Sequence, residues 1–135
     1  MRLIKVILYM KDETKLWLDY ADENYKSAQI LLESHLYNST LQNIQQSIEK
    51  DLKALFIEHG IKQKKTHNIS ILAEILKQNN MPIDIDDNEI DLIDSIYLSS
   101  KYPIGSALPD FYPDVNICSN CLKIAYRVKM EVKLY

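Results

Sequence analysis

The sequence predicts an all-α fold, an antiparallel bundle of four to five helices. Apolar residues recur at i, i+3, i+4 and i+7 through most of the chain, and no stretch insists on being a strand. Only two glycines and no low-complexity tract interrupt the 135 residues, so the chain offers no linker and no obvious repeat. That length suits one compact domain with its own core. We place the helical domain at residues 12–135, behind an N-terminal extension at 1–11.

The opening "MRLIKVILYMKDE" has a basic start and a short apolar run. It lacks a small-residue cleavage site and is far too short to span a bilayer. Two readings stay open: a strand-like or helical extension packed on the body, or leader residues upstream of a start at Met10.

The first helix is expected over roughly Glu13 to His35, capped by Asp12, with Trp17, Ala21, Tyr25, Ala28, Leu31 and Leu32 along its inner side. The second is "LQNIQQSIEKDLKALFIEHG", Leu41 to Gly60. Ser39 and Gln42 have the spacing of a capping box at its start, and Gly60 can take the left-handed position after its end. Leu41, Ile44, Ile48, Leu52, Leu55 and Phe56 fall in one arc, the core face, while Gln46, Lys50, Lys53 and Ile57 gather almost opposite. Glu49 precedes Lys53 by four residues, the favourable order for a surface ion pair.

A third helix starts near Asn68, runs through Ile69, Leu72, Ala73 and Leu76, and stops at "QNNMP". A fourth follows "DIDDNE", where Asp86 and Glu89 have capping-box spacing, and turns Ile90, Ile93, Ile96 and Tyr97 inward. "KYPIGSALPDFYPD" packs three prolines into a loop that cannot be helical. The last helix, from about Val115, aligns Cys118, Leu122, Ala125, Val128 and Val132.

Composition excludes several functions. A formal charge of -3 argues against a basic coat for nucleic acid, though a local basic patch stays open. Cys118 and Cys121 are too few for a disulfide framework and fit a reducing, cytoplasmic setting without membrane attachment. A structural zinc site needs four ligands, and no second cysteine or histidine pair completes one. With no phosphate-cradling glycine loop either, no metal or cofactor is expected. His35 and His59 sit at helix C-termini, where an imidazole complements the dipole. His67 is either a polar residue near a helix start or, with Thr66 and the lysines Lys62, Lys64 and Lys65, part of an anion site.

"YADENYKSAQILLES", "IQQSIEKDLKALFIEHG", "KKTHNISILAEIL" and "LSSKYP", in this order, resemble the HEPN domain (higher eukaryotes and prokaryotes nucleotide-binding domain). The likeness runs through nearly the whole chain after Met10. Its most specific pieces are Gln46, Glu49, Lys50 and Lys53 in a QQ-x-x-EK-x-x-KA pattern, Thr66-His67, and Tyr102-Pro103 of an RYP-like motif. The resemblance implies a bundle of four to five helices that commonly dimerises.

Many members of that family are ribonucleases with an Arg-x(4-6)-His motif, and neither Arg2 nor Arg127 has a histidine at that spacing. Lys101 stands where the family has arginine before Tyr-Pro, which keeps the charge but loses the bidentate fork. The resemblance therefore implies a non-catalytic HEPN protein: a nucleotide-binding or partner subunit, of the kind associated with minimal nucleotidyltransferases in toxin-antitoxin-like two-gene modules. Lys50, Lys53, Thr66, His67 and Lys101 would contact a nucleotide, and Gln46, Ile57 and Tyr102 would face a partner, a second copy or such a transferase. Two alternatives remain: an atypical HEPN ribonuclease, for which His67 with Lys50 or Lys101 is the seed, and a purely structural scaffold.

Overall fold

Local signals and tertiary packing divide the helix ends between them. In the computed structural model, the described residues form α1 (Asp12–Glu33), α2 (Tyr37–Glu58), α3 (Ile69–Gln78), α4 (Asp87–Lys101) and α5 (Val115–Val132), with no strand among them. The structure describes residues 10–63, 65–101 and 113–135, with the side chains of 98–101 excepted. The alternatives for residues 1–9, the side chains of Lys64 and Lys101, Tyr102 and most of the proline-rich loop lie outside what it describes.

Three starts fall where the sequence places them. Asn68 caps α3 by accepting from the Ser70 and Ile71 amides. Asp86 and Glu89 form the reciprocal box at α4, at 2.8 and 3.1 Å. Asp114 caps α5 by accepting from the Ile117 amide. Gly60 has φ +64, and the Ile61 and Gly60 amides return to the Phe56 and Ile57 carbonyls at 2.8 and 3.3 Å. That is a Schellman closure, which suits a residue without Cβ.

Two starts differ from expectation. The N-cap of α1 is Lys11, with no side-chain cap, and Asp12 is already in the first turn, where its charge complements the dipole. Likewise α2 begins at Tyr37, ahead of Ser39. The turn between α1 and α2 closes on His35 in the left-handed region, φ 60, and Thr40 Oγ1 bonds back to the Leu36 carbonyl at 2.9 Å. The short connection extends the helix toward the turn and bypasses the box.

Because both of its sides are covered, α2 is the centre of the bundle and packs against all four other helices. The expected arc of Leu41, Ile44, Ile48, Leu52, Leu55 and Phe56 is buried. It meets Ala28 of α1, Ile69, Leu72 and Leu76 of α3, Ile93 and Ile96 of α4, and Cys118, Cys121, Ala125 and Val128 of α5 in one core. Each large side chain so buried contributes roughly 1.5–3 kcal/mol against exposure. Ala21 and Ala28 let α1 approach closely, and Ser47 Oγ donates to the Ala21 carbonyl at 2.9 Å across that contact.

The cysteines are core residues. Both are fully buried, and burial pushes the Cys118 thiol up to about 11 and the Cys121 thiol up to about 12, so neither is a thiolate at neutral pH. Among the described residues, no group of three or more His, Cys, Asp or Glu could hold a metal ion, and no helix is long and apolar enough to cross a membrane.

Candidate ligand-binding site

Along α2 the polar residues flanking the core arc are not simply solvated, because α1 covers one flank and the α2–α3 connection with α4 covers the other. Glu49 is the pivot of the second flank. It is only 4% exposed, and its carboxylate accepts from Lys53 Nζ at 2.9 Å, His67 Nδ1 at 2.9 Å and Gln45 Nε2 at 3.1 Å. Burial alone would raise Glu49. The bonds from Lys53, His67 and Gln45 outweigh it and hold the carboxyl below its ordinary range. The Glu49–Lys53 pair expected on the surface is therefore formed, but it is sequestered.

Gln45, 1% exposed, also reaches the His67 carbonyl at 3.4 Å and accepts from Gln46 Nε2 at 2.8 Å. Because Glu49 is ionised, the His67 proton it accepts is assigned to Nδ1, and Nε2 is the ring's second site, a lone pair in the imidazole and an N–H donor in the imidazolium. The imidazole is stacked on Tyr97 of α4, with centroids 4.5 Å apart and planes 17° from parallel. Carboxylate and phenol ring together fix its orientation.

His67 lies at the edge of a cavity of about 360 Å³ lined by Lys65, Thr66, His67, Asn68, Asp94 and Tyr97. The amides at the start of α3 do not serve it as free donors. Asp94 accepts from Ile69 N at 2.7 Å and Ser70 N at 3.4 Å, and Asn68 Oδ1 takes Ser70 N and Ile71 N. Burial raises the Asp94 carboxyl despite those backbone bonds. Thr66 Oγ1 accepts from the Asn68 amide at 3.1 Å. The cavity thus offers an aromatic stack, a hydroxyl and the exposed Lys65.

The predicted site residues divide. Thr66 and His67 come together at this cavity, and Lys53 joins them through Glu49. Lys50 does not join them: its Nζ donates to Asn24 Oδ1 of α1 at 2.7 Å and lies 5.9 Å from the centroid of the Tyr20 ring. Lys50 and Lys53, both expected to contact a nucleotide, are thus directed to opposite flanks of α2, each with its own partner. Gln46 and Ile57 are half-buried, Gln46 through Gln45 and Ile57 with its carbonyl accepting from Lys11 Nζ at 3.0 Å. The side chains of Lys101 and Tyr102 lie outside the described residues.

Asp94 and Gln45 are site residues that the sequence pattern does not single out, and Tyr97 is expected from it only as an inward-facing residue. A helical wheel advancing about 100° per residue carries part of the missing signal: it puts Gln45 inside the core arc, between Leu52 and Phe56, and Glu49 at its edge. Polar residues there must find partners. Arg127, considered only for the ribonuclease motif, is a structural strut that bonds Glu89 and donates to the Asp84 carbonyl at 3.1 Å.

A family model described as HEPN domain matches residues 14–135. Among solved structures, the chain is similar to the crystal structure of an archaeal HEPN homologue, at 21% identity and a TM-score of 0.60, over 89% of this chain and 94% of that one. That likeness concerns the fold. No curated protein matches the chain.

Proposed function

The chain belongs to the HEPN domain family, and on that premise we propose that it is a non-catalytic subunit that binds a nucleotide-like anion beside His67 and pairs with a second copy of itself. The observation that carries this reading is the imidazole held between Glu49 and Tyr97 at the mouth of a cavity of about 360 Å³. A base can stack on the aromatic pair, while the Lys65 ammonium, the Thr66 hydroxyl and Nε2–H of the His67 imidazolium donate to a phosphate. Lys101 is proposed to add charge from the end of α4. With Lys53 already neutralised by Glu49, the free positive charge is small and affinity is modest. Binding is also salt-sensitive, because exposed charges are screened within about 8–10 Å at ordinary ionic strength.

Calorimetric titration of ATP and GTP tests this. Sub-millimolar binding of at least one is expected at low salt, several-fold weaker at high salt, and lost in a Lys65→Ala, His67→Ala double variant. Lys50→Ala, whose contact lies toward α1, should leave it unchanged. Equal binding by parent and double variant would discard the site.

A minimal nucleotidyltransferase is the proposed partner class for the assembly, in a two-gene module. Self-association is the simpler test, since Tyr20, Tyr126 and Met130 stand exposed and leave apolar surface to cover. Light scattering at micromolar concentration should give twice the chain mass, and Ile57→Glu should lower it without loss of helicity. A parent that stays at the mass of one chain contradicts the pairing.

A second reading has one specific observation behind it. A carboxylate-oriented imidazole with a free Nε2 is the geometry of a general base, so ribonuclease action by a Glu49–His67 pair is the alternative. Cleavage of labelled RNA that vanishes in His67→Ala would favour it over ligand binding.

A further inference from the structure

On the opposite flank of α2, a second cavity of about 320 Å³ opens between α1, α2 and α5, lined by Met10, Lys15, Leu18, Asp19, Asp22, Asp51, Lys129 and Lys133. Its floor is unusual. Asp51 is 1% exposed, and its Oδ2 is buried with no hydrogen-bond donor. Lys129, itself 6% exposed, is the countercharge of that same oxygen at 3.5 Å and stands 3.8 Å from Asp22 Oδ1, an ion-pair contact in each case but too long for a good hydrogen bond. Lys26 holds Asp22 from the solvent side at 3.0 Å.

The charges are layered. Asp51 and Lys129 are buried at the floor, Asp22 stands half-exposed above them with Lys26 on its solvent side, and the exposed lining groups are Lys15, Asp19 and Lys133, one ammonium in excess. The remaining wall, Met10 and Leu18, is apolar. A buried carboxylate oxygen without a donor is costly, and it is relieved by a ligand that brings one.

We propose that this cavity is a binding site for a small zwitterion of the amino-acid type, its ammonium directed inward to Asp51 and Asp22 and its carboxylate outward to Lys15 and Lys133. The apolar wall takes a short aliphatic side chain. Burial pushes the Asp51 carboxyl up to about 6, against the pull of Lys129 and Lys133 and with added repulsion from Asp22. The site is separate from the His67 cavity, and neither depends on the other.

Calorimetric titration of the full chain with L-leucine is the test, beside N-acetyl-L-leucine, which lacks the ammonium, L-leucinamide, which lacks the carboxylate, and putrescine, which carries two ammoniums. L-Leucine should bind, each of the other three at least about tenfold more weakly, as expected when a charged partner is removed. Asp51→Asn should abolish leucine binding. Should that variant fail to fold, Lys133→Gln on the exposed rim should weaken L-leucine but not L-leucinamide. The proposal is overturned by absence of leucine binding at millimolar concentration, which would leave a cavity filled by water only. It is equally overturned by N-acetyl-L-leucine or putrescine binding as well as leucine, or by undiminished affinity in Asp51→Asn or Lys133→Gln.

Discussion

Replacing Lys129 by methionine is expected to cost about 3 kcal/mol of stability at pH 8 and about 1 kcal/mol at pH 7, the penalty for leaving a buried carboxylate without its countercharge, limited at each pH by protonation of Asp51. Methionine preserves most of the side chain's packing, so the loss isolates the ammonium, which is 3.5 Å from Asp51 and 5.6 Å from the centroid of the Tyr25 ring. The penalty depends on pH in a definite direction. Asp51 is raised in the folded protein to about 6 from an ordinary 3.8, so the fold prefers its protonated form. Its ionisation therefore costs the parent stability as pH rises from about 4 to about 6, on the order of 3 kcal/mol when complete. Without Lys129 the carboxyl rises further and the window extends upward. Urea unfolding at pH 5 and pH 8 should thus show a much smaller variant-to-parent difference at pH 5. Lys26→Met, which breaks a pair whose lysine side chain is 70% exposed, should shift stability by no more than about 1 kcal/mol at either pH. A pH-independent penalty for Lys129→Met would contradict this electrostatic origin.

Glu49→Gln is expected to cost about 2–3 kcal/mol at pH 7, because it removes the buried charge shared by Lys53 and His67 while keeping the shape. The figure stays below the range for a fully buried pair, since the Lys53 and His67 side chains, 12% and 50% exposed, can still reach water. Here the pH dependence has the opposite sign. The Glu49 carboxyl is lowered in the fold, so its contribution is fully present above the ordinary glutamate range and is lost as pH falls through the lowered value. Parent and variant should differ constantly above about pH 5 and converge in acid. The same substitution should free the imidazole from its Glu49 anchor and weaken nucleotide binding in parallel. An unaffected His67 ring resonance in Glu49→Gln would show that the pair does not orient it.

How far the sequence foretold this follows from where each determinant lies. The starts of α3, α4 and α5 were legible because Asn68, Asp86 with Glu89, and Asp114 act within one turn of themselves. The starts of α1 and α2 were not, since neither uses a side-chain cap and the tight closure at His35 and Leu36 sets where α2 begins. The core arc of α2 was legible from period alone. Its polar flanks were not: Lys50 finds Asn24, 26 residues away, Glu49 finds His67, 18 away, and Lys129 reaches Asp51 across two helices. Periodicity says which side chains lie at the edge of a core, and only the assembled bundle says which partners meet them there.

Backbone amide NMR during titration with GTP and ATP tests the central claim most directly, that the Glu49-anchored cavity takes a nucleotide-like anion. The account predicts shifts concentrated at Lys65, Thr66, His67 and Asn68, with smaller ones at Lys53 and Tyr97, all reduced by salt. Shifts confined to the α1, α2 and α5 cavity around Asp51, or none at millimolar nucleotide, would contradict it.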